Sequence, residues 1–143
     1  RIFPYCFGDN RYPGVASFDI RIINNNSFQV ADNVVLPIRV MHYNLPIFGY
    51  RIENMAYITD MLTISDEELE KMKSLDLLII NALRHTEHIS HQTLESALRI
   101  IEKVAPKKAY LIHVSHQMGL HKEVSKLLPS NVFLAYDGLQ IEL

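Results

Sequence analysis

The chain has 143 residues, of which 48% are hydrophobic, and this length suits one domain with a packed core. Its formal net charge of −2 excludes the basic surface that would attract nucleic acid or an anionic membrane, and no apolar run is long enough to cross a membrane. Cys6 is the single cysteine; it excludes an internal disulfide, indicates a reducing, cytoplasmic location and is expected to serve packing.

The N-terminal third of the chain is predicted to hold a loop and two strands. Residues 1–14 are rich in Pro, Gly and Asn and are typical of a loop. Residues 18–23 are a candidate strand that an asparagine-rich turn closes, and residues 33–42 are a stronger candidate because apolar side chains alternate along them. Pro37 has no backbone N–H to donate, so this strand should lie at a sheet edge or be bulged there.

A hairpin and a helix are predicted next. Residues 47–53 and 55–60 read as two strands, and the short separation at Asn54 favours a hairpin. Ser65, followed three residues later by Glu68, has the pattern of a capping box. The acidic residues that follow Ser65 also suit the positive end of a helix dipole.

Two buried strands flank a second helix in the prediction. Residues 76–83 form a continuous apolar run, as a strand buried on both faces would, and residues 108–113 repeat this pattern. Between them, Ser90 is a candidate cap for a helix over residues 91–104, where apolar residues recur at helical spacing.

The C-terminal region is predicted to add a short helix and a final hairpin. The helix is marked by four apolar residues at helical spacing: Leu120, Val124, Leu127 and Leu128. Residues 131–143 read as a hairpin with Asp137-Gly138 as its turn. Because strands and helices alternate from residue 55 onward, the sequence predicts an α/β fold with at least one mostly parallel region.

Three polar residues stand where apolar strands end: His42, Asp60 and His113. Sites in open α/β sheets form at the carboxyl ends of strands, and imidazole and carboxylate groups are ligands for zinc, manganese and iron. A single histidine at a strand end is more often a structural residue. The three together favour a metal site, although the structural interpretation stays open.

The other histidines have less specific positions. His85 and His88 read as part of a polar loop, and His121 as a solvated residue of the short helix. His91 is predicted to lie at the start of a helix, where it could donate a proton to a leaving group. His116 could be hydrogen-bonded to a metal ligand or could be a polar loop residue.

Five strings from His42 to the C-terminus carry a family resemblance: "HYNLPIFGYRI", "AYITDML", "LLIINALRHTEHISHQTL", "LIHVSHQMGLH" and "AYDGLQI". In this order they resemble the second half of the metallo-β-lactamase-fold hydrolases, nearest to the PhnP-type phosphodiesterases. The resemblance implies that residues 1–143 are a single partial domain, the C-terminal half of an αββα sandwich.

The resemblance also implies a site and an activity. It assigns His42 and His113 as metal ligands, Asp60 as the aspartate that bridges two metals, and His91 as the group that assists the leaving oxygen. The implied activity is hydrolysis of a small phosphodiester by a hydroxide that two divalent ions activate, with zinc or manganese, or else iron, as the metal.

One departure from the family pattern is large. The His-x-His-x-Asp-His motif, which supplies most of the family's ligands, is absent from the sequence. Together with a first residue that is Arg1 rather than Met, this absence leads us to expect that the chain lacks the N-terminal half, is inactive alone and binds at most one metal weakly.

The missing half would leave apolar sheet surface exposed, so we expect the chain to form a homo-oligomer or to pair with a separate chain that carries the missing half. The alternative is a catalytically incompetent half-domain that acts only in folding or oligomerisation.

Overall fold

The computed structural model describes residues 6–7, 13–16, 18 and 20–142, and within these residues eight strands form one mixed sheet. The strands are β1 Phe28–Val30, β2 Asn33–His42, β3 Leu45–Ile52, β4 Met55–Ile58, β5 Thr63–Ile64, β6 Leu77–Asn81, β7 Lys108–Ile112 and β8 Val132–Leu134. The helices are α1 Asp66–Glu70, α2 Leu94–Val104 and α3 His121–Val124, and a 3-10 turn spans His116–Met118.

The sheet has an antiparallel half and a parallel half. Its spatial order is β1-β2-β3-β4-β6-β7-β8, and β5 pairs with β2. Neighbours from β1 to β4 are antiparallel, whereas β4, β6, β7 and β8 are parallel. The predicted α/β alternation with a parallel region is therefore confirmed.

The edge of β2 is closed by side chains at the position where Pro37 interrupts it. β1 pairs with β2 before Pro37 and β5 pairs with β2 after it, so neither strand covers this residue. In the gap, the Glu68 carboxylate accepts a hydrogen bond from the Arg39 N–H (2.8 Å), and Lys71 Nζ donates to the Pro37 carbonyl (3.1 Å). The predicted edge position of Pro37 is confirmed.

The hairpin predicted around Asn54 is also confirmed, since β3 and β4 pair as antiparallel neighbours. Gly49 lies where β3 approaches β4 closely. A Cβ atom at this position would come within 2.7 Å of Ile58 Cγ1 and 2.9 Å of the Tyr57 carbonyl oxygen. Only glycine fits this contact without a shift of the neighbouring strand.

One face of the sheet forms the core under the helices. Its buried strand residues include Ile38, Val40, Ala56, Ile58, Leu78, Ile80, Ala109 and Leu111, and α2 adds Leu94, Ala97, Ile101 and Val104. On the other face, five residues stand in register across the sheet: Tyr50, Tyr57, Ile79, Tyr110 and Phe133. We call these five the aromatic face. Tyr57 is 44% exposed and Phe133 is 39% exposed, so this face is only partly covered.

The two predictions for the N-terminal region have different outcomes. Most of the predicted loop over residues 1–14 lies outside the described residues, although Cys6 is buried, as its expected packing role requires. The strand predicted over residues 18–23 is wrong, since the described part of this segment contains no strand and β1 begins only at Phe28. Ile22 is 96% exposed, so the apolar residues here do not form a buried face.

Helix α1 begins as predicted, whereas α2 does not. Ser65 caps α1 by accepting a hydrogen bond from the Glu68 N–H (3.4 Å). The prediction of Ser90 as the cap of a helix from residue 91 is wrong, because α2 begins at Leu94 and Thr93 caps it by accepting from the Ser96 N–H (3.1 Å).

The C-terminal helix is confirmed, but the hairpin over residues 131–143 is wrong. α3 occupies the predicted position, and a turn does form where the Leu139 N–H donates to the Tyr136 carbonyl (3.1 Å). The described residues after this turn form no strand. β8 instead pairs in parallel with β7. The chain therefore reaches its last strand by a crossover connection and not by a hairpin.

Candidate metal centre

The strand directions bring three predicted residues to one edge of the sheet. β3 lies antiparallel between β2 and β4, so β2 runs in the same direction as β4, and β6 and β7 are parallel to β4. His42 ends β2, Asp60 follows β4 and His113 follows β7. Their side chains therefore start from the same carboxyl edge, where parallel sheets form their binding sites.

The contacts among these residues show that they converge. His113 Nδ1 lies 3.4 Å from Asp60 Oδ1, and His42 Nδ1 lies 2.8 Å from the Asp60 carbonyl oxygen. A carbonyl oxygen only accepts, so His42 Nδ1 carries the proton and the Nε2 lone pair of the neutral ring remains available. This arrangement is typical of histidines that bind metals through Nε2.

His91 lies at the centre of the group and not at its border. Its ring centroid is 4.7 Å from that of His42, 4.6 Å from that of His113 and 5.1 Å from that of His88. Nδ1 of His91 is buried and has no hydrogen-bond partner among the described residues. One ligand atom from each of Asp60, His91 and His113 lies within 4.8 Å of the other two.

Burial is the largest cause that lowers the pKa of His91 below its usual value; the neighbouring His113 and His42 rings lower this pKa further, and the Asp60 carboxylate opposes them. The ring is therefore neutral at neutral pH, with a lone pair on one nitrogen. The site offers imidazole nitrogens and a carboxylate, and one of the imidazole nitrogens is buried without a partner among the described residues. This donor set fits a divalent transition metal. His91 thus lies among the possible ligands; its assignment as a proton donor stays a prediction.

The location predicted for His91 is wrong in one respect. It precedes the Thr93 cap of α2 by two residues and lies in a loop, so the helix dipole does not account for its properties. Neighbouring Gln92 holds this loop out of the helix, because the Gln92 N–H donates to the Met61 carbonyl (3.0 Å) and its side chain is 2% exposed.

The backbone at the site has a conformation that the sequence did not indicate. Asp60 has φ of 61° and His113 has φ of 55°, both in the left-handed region. Non-glycine residues seldom adopt this conformation, and when they do they often lie at functional sites. Each of the two turns the chain away just after a parallel strand, which leaves its side chain at the sheet edge.

Asn81 is a positioning residue that the sequence analysis missed. It is fully buried; its Oδ1 accepts from the Met61 N–H and its Nδ2 donates to the Met61 carbonyl, both at 2.9 Å. Its own carbonyl accepts from Gln92 Nε2 (2.7 Å). Asn81 therefore connects Met61, which follows Asp60, to Gln92, which follows His91. The sequence feature that could have indicated this role is a single amide side chain inside the apolar run of residues 76–83.

The loop before His91 is ordered by Arg84. The guanidinium donates to the carbonyls of Thr86 (3.2 Å) and Glu87 (2.6 Å) and to Gln117 Oε1 (2.6 Å). His85 Nε2 lies 3.0 Å from the Met118 carbonyl oxygen. The predicted polar loop is confirmed, and it brings the ring of His88 against His91.

The remaining histidines lie in the C-terminal region. His116 is exposed at the start of the 3-10 turn, and its predicted contact with a metal ligand stays a prediction. His121 lies on α3, exposed as expected, and its Nε2 is 3.2 Å from the Leu134 carbonyl oxygen. No helix in the described part of the chain is both long and apolar enough to span a membrane.

Comparison with known proteins places this chain in a family. The beta-lactamase superfamily domain matches residues 1–114. An octanoyltransferase of Porphyromonas gingivalis is 45% identical over 138 residues, which cover 95% of this chain and 28% of that protein.

Solved structures give the same result for the fold. A diphosphatase of the PhnP family is 34% identical, with a TM-score of 0.86 over 90% of this chain and 50% of that chain. The metallo-beta-lactamase fold protein YhfI of Bacillus subtilis is 18% identical, with a TM-score of 0.69 over 96% of this chain and 59% of that chain. The chain thus spans about half the length of these structures. It belongs to the beta-lactamase superfamily and is a PhnP-like protein of the metallo-β-lactamase fold.

Proposed function

We propose that this chain supplies one side of a two-metal centre that hydrolyses phosphodiester bonds. The observation that carries the proposal is the convergence of His42, Asp60 and His113 around His91 at one sheet edge. The similarity to a diphosphatase of the PhnP family supports hydrolysis at phosphorus as the class of reaction.

Each residue of the site would have its own role in the reaction. His42 and His113 would each bind a metal, and Asp60 would bridge two; divalent ions held there lower the pKa of water and polarise a phosphoryl group. His91 is neutral before substrate arrives, because burial lowers its pKa. The negative charge of a bound phosphodiester would raise that pKa again, so that the His91 ring could take up a proton from solvent and pass it to the leaving oxygen.

The remaining metal ligands would belong to a second protein layer outside this chain's own residues. That layer would pack on the aromatic face. Tyr50, Tyr57, Ile79, Tyr110 and Phe133 form a row that a second layer could cover. The chain matches only 50% of the diphosphatase structure, which leaves a comparable length for such a layer. That layer would be another segment of a longer protein, a separate chain or a second copy. Residues 1–143 alone would then bind one metal weakly and be inactive.

The oligomeric state of residues 1–143 alone tests the need for a second layer. Sedimentation should show self-association or aggregation, and Tyr57→Glu should reduce it, because a charge would then stand on the aromatic face. A matched Tyr43→Glu variant, in the exposed turn after β2, should leave it unchanged. A monomer with a cooperative melting transition would show that these residues close their own core.

The octanoyltransferase relative raises acyl transfer as a second candidate function. The 45% identity favours a shared function, but this chain corresponds to only 28% of that protein, so the named activity can reside in its remaining part. Asp60→Ala separates the two candidates. If the metal centre hydrolyses phosphodiesters, this variant should lose both metal and hydrolysis of bis(p-nitrophenyl) phosphate while any octanoyl transfer survives.

The decisive assay uses the protein at its natural full length. Metal content should be measured together with bis(p-nitrophenyl) phosphate hydrolysis, with zinc and manganese supplied in turn. Bound metal and turnover support the proposed hydrolase. A protein that holds no metal and hydrolyses nothing would favour the incompetent half-domain instead. The cytoplasmic location stays a prediction.

A further inference from the structure

We propose that His88 is a substrate-binding residue whose Nε2–H donates a hydrogen bond to a non-bridging phosphoryl oxygen. The inference rests on the proposed phosphodiesterase function and deepens it. It starts from the loop of residues 84–91, which the metal-binding roles do not account for.

The contacts of His88 with Ser90 fix the tautomer of the His88 ring. The Ser90 backbone N–H lies 3.3 Å from His88 Nδ1, and Ser90 Oγ lies 3.3 Å from the same atom. A backbone N–H can only donate, so Nδ1 is the acceptor. In the neutral ring the proton is then on Nε2. The described residues provide no acceptor for Nε2, which leaves this donor free for a ligand.

His88 also lies beside the proposed proton donor His91. The rings of His88 and His91 are stacked, with centroids 5.1 Å apart and an angle of 27° between their planes. His88 is therefore a direct neighbour of the His91 ring. A phosphodiester whose leaving oxygen faces His91 would bring a non-bridging oxygen within reach of this neighbouring ring. Its negative charge makes it a strong acceptor.

The loop that carries His88 is held by several hydrogen bonds. Two hydrogen bonds of the Arg84 guanidinium fix the carbonyls of Thr86 and Glu87, the two residues directly before His88, and a third holds the guanidinium to Gln117 Oε1. His85 adds a contact to the Met118 carbonyl. A donor held on a loop fixed in this way needs little reorganisation when substrate binds, which makes its hydrogen bond more effective.

Three substitutions separate the donor role from a merely structural one. In H88Q the side-chain amide nitrogen can occupy the position of Nε2, so the donor is kept. In H88N the amide oxygen can occupy the position of Nδ1, so only the hydrogen bond from Ser90 is kept. In H88F the ring area is kept without either polar atom.

In the full-length protein, the donor role predicts a specific order of activities on bis(p-nitrophenyl) phosphate. H88Q should stay near the wild type, whereas H88N and H88F should lose about ten- to a hundredfold in kcat/KM, the size of a lost hydrogen bond to a charged group. The loss should lie mainly in KM, because the bond is made in the ground state as well. If H88N keeps activity and H88Q loses it, the role of His88 is to hold the loop through the hydrogen bond from Ser90, and the proposal is wrong.

Binding measurements keep the inference testable apart from catalysis. Titration of the metal-loaded protein with inorganic phosphate should show weaker affinity for H88F and H88N than for H88Q, at unchanged metal content. Nitrogen NMR of the histidine rings should show His88 protonated at Nε2 and not at Nδ1. A proton on Nδ1, or equal phosphate affinity in all variants, overturns the role of His88. A wild-type protein that binds phosphate through His88 but cleaves no phosphodiester overturns only the proposed function.

Discussion

Replacing Asn81 by leucine should destabilise the fold and weaken the metal centre together. Leucine has the same branched shape and the same number of side-chain heavy atoms, so the substitution leaves no cavity, but it removes both hydrogen bonds between the Asn81 side chain and Met61. The Met61 carbonyl keeps its bond from the Gln92 N–H. The Met61 N–H is then left buried without an acceptor.

The structure allows the size of this effect to be estimated. One buried N–H without a partner costs about 1–3 kcal/mol in the free energy of unfolding. Because Met61 directly follows Asp60, loss of the same bonds should also loosen the carboxylate. Removal of a group that orients a metal ligand lowers metal affinity by about ten- to a hundredfold.

Urea unfolding and metal titration of the full-length protein measure the two effects. Asn33→Leu is the matched control, since Asn33 is exposed at the start of β2 and its replacement should change stability by less than about 0.5 kcal/mol. The reasoning fails if Asn81→Leu matches this control. It fails equally if Asn81→Leu unfolds more easily but binds metal with wild-type affinity, since Asn81 would then support only the core.

Three further predictions concern the edge of β2, the β3–β4 contact and the site. Burial alone would raise the pKa of Glu68, but the hydrogen bonds that it accepts, first from Lys71, hold the pKa below its usual value of 4.5. The ionised carboxylate therefore contributes stability above pH 4.5, which is lost as pH falls through the lowered pKa. Glu68→Gln should cost about 1–3 kcal/mol at neutral pH, and urea unfolding should show the difference shrinking in acid; a constant difference would contradict this. Gly49→Ala should lower stability by about 1–3 kcal/mol because its Cβ would overlap β4, and an unchanged urea midpoint would show that β4 can move. His91→Ala should lower turnover by about 10²–10⁴-fold with metal content retained; loss of the metal would make His91 a ligand.

Much of the sheet could be predicted because each strand has a local signal. The apolar run of residues 76–83 and the turn at Asn54 are each visible within a few residues, and both predictions are confirmed. The site edge could be predicted for the same reason, since His42 and His113 end such runs. Their convergence follows from strand direction alone.

The errors arise where long-range contacts decide the local structure. Gln92 has the sequence environment of a first helical turn, but its hydrogen bonds to Asn81 and Met61 hold it outside α2. The chain after Leu134 has a good turn sequence, but pairing of β8 with β7 leaves it no strand partner in the described residues. Neither contact can be inferred from neighbouring residues.

The left-handed conformations of Asp60 and His113 could not have been predicted either. Asp tolerates this region more readily than most residues, but nothing in the local sequence requires it. The conformation arises because each residue must leave its strand and still present its side chain at the sheet edge.

The central claim is that His42, Asp60 and His113 hold divalent metal. Anomalous diffraction from crystals of the full-length protein, grown with zinc and again with manganese, tests it most directly. The account predicts an anomalous peak between the His42 and His113 rings in contact with the Asp60 carboxylate, and its loss in Asp60→Ala crystals. A metal-loaded protein whose anomalous peaks all lie away from these three residues would contradict it.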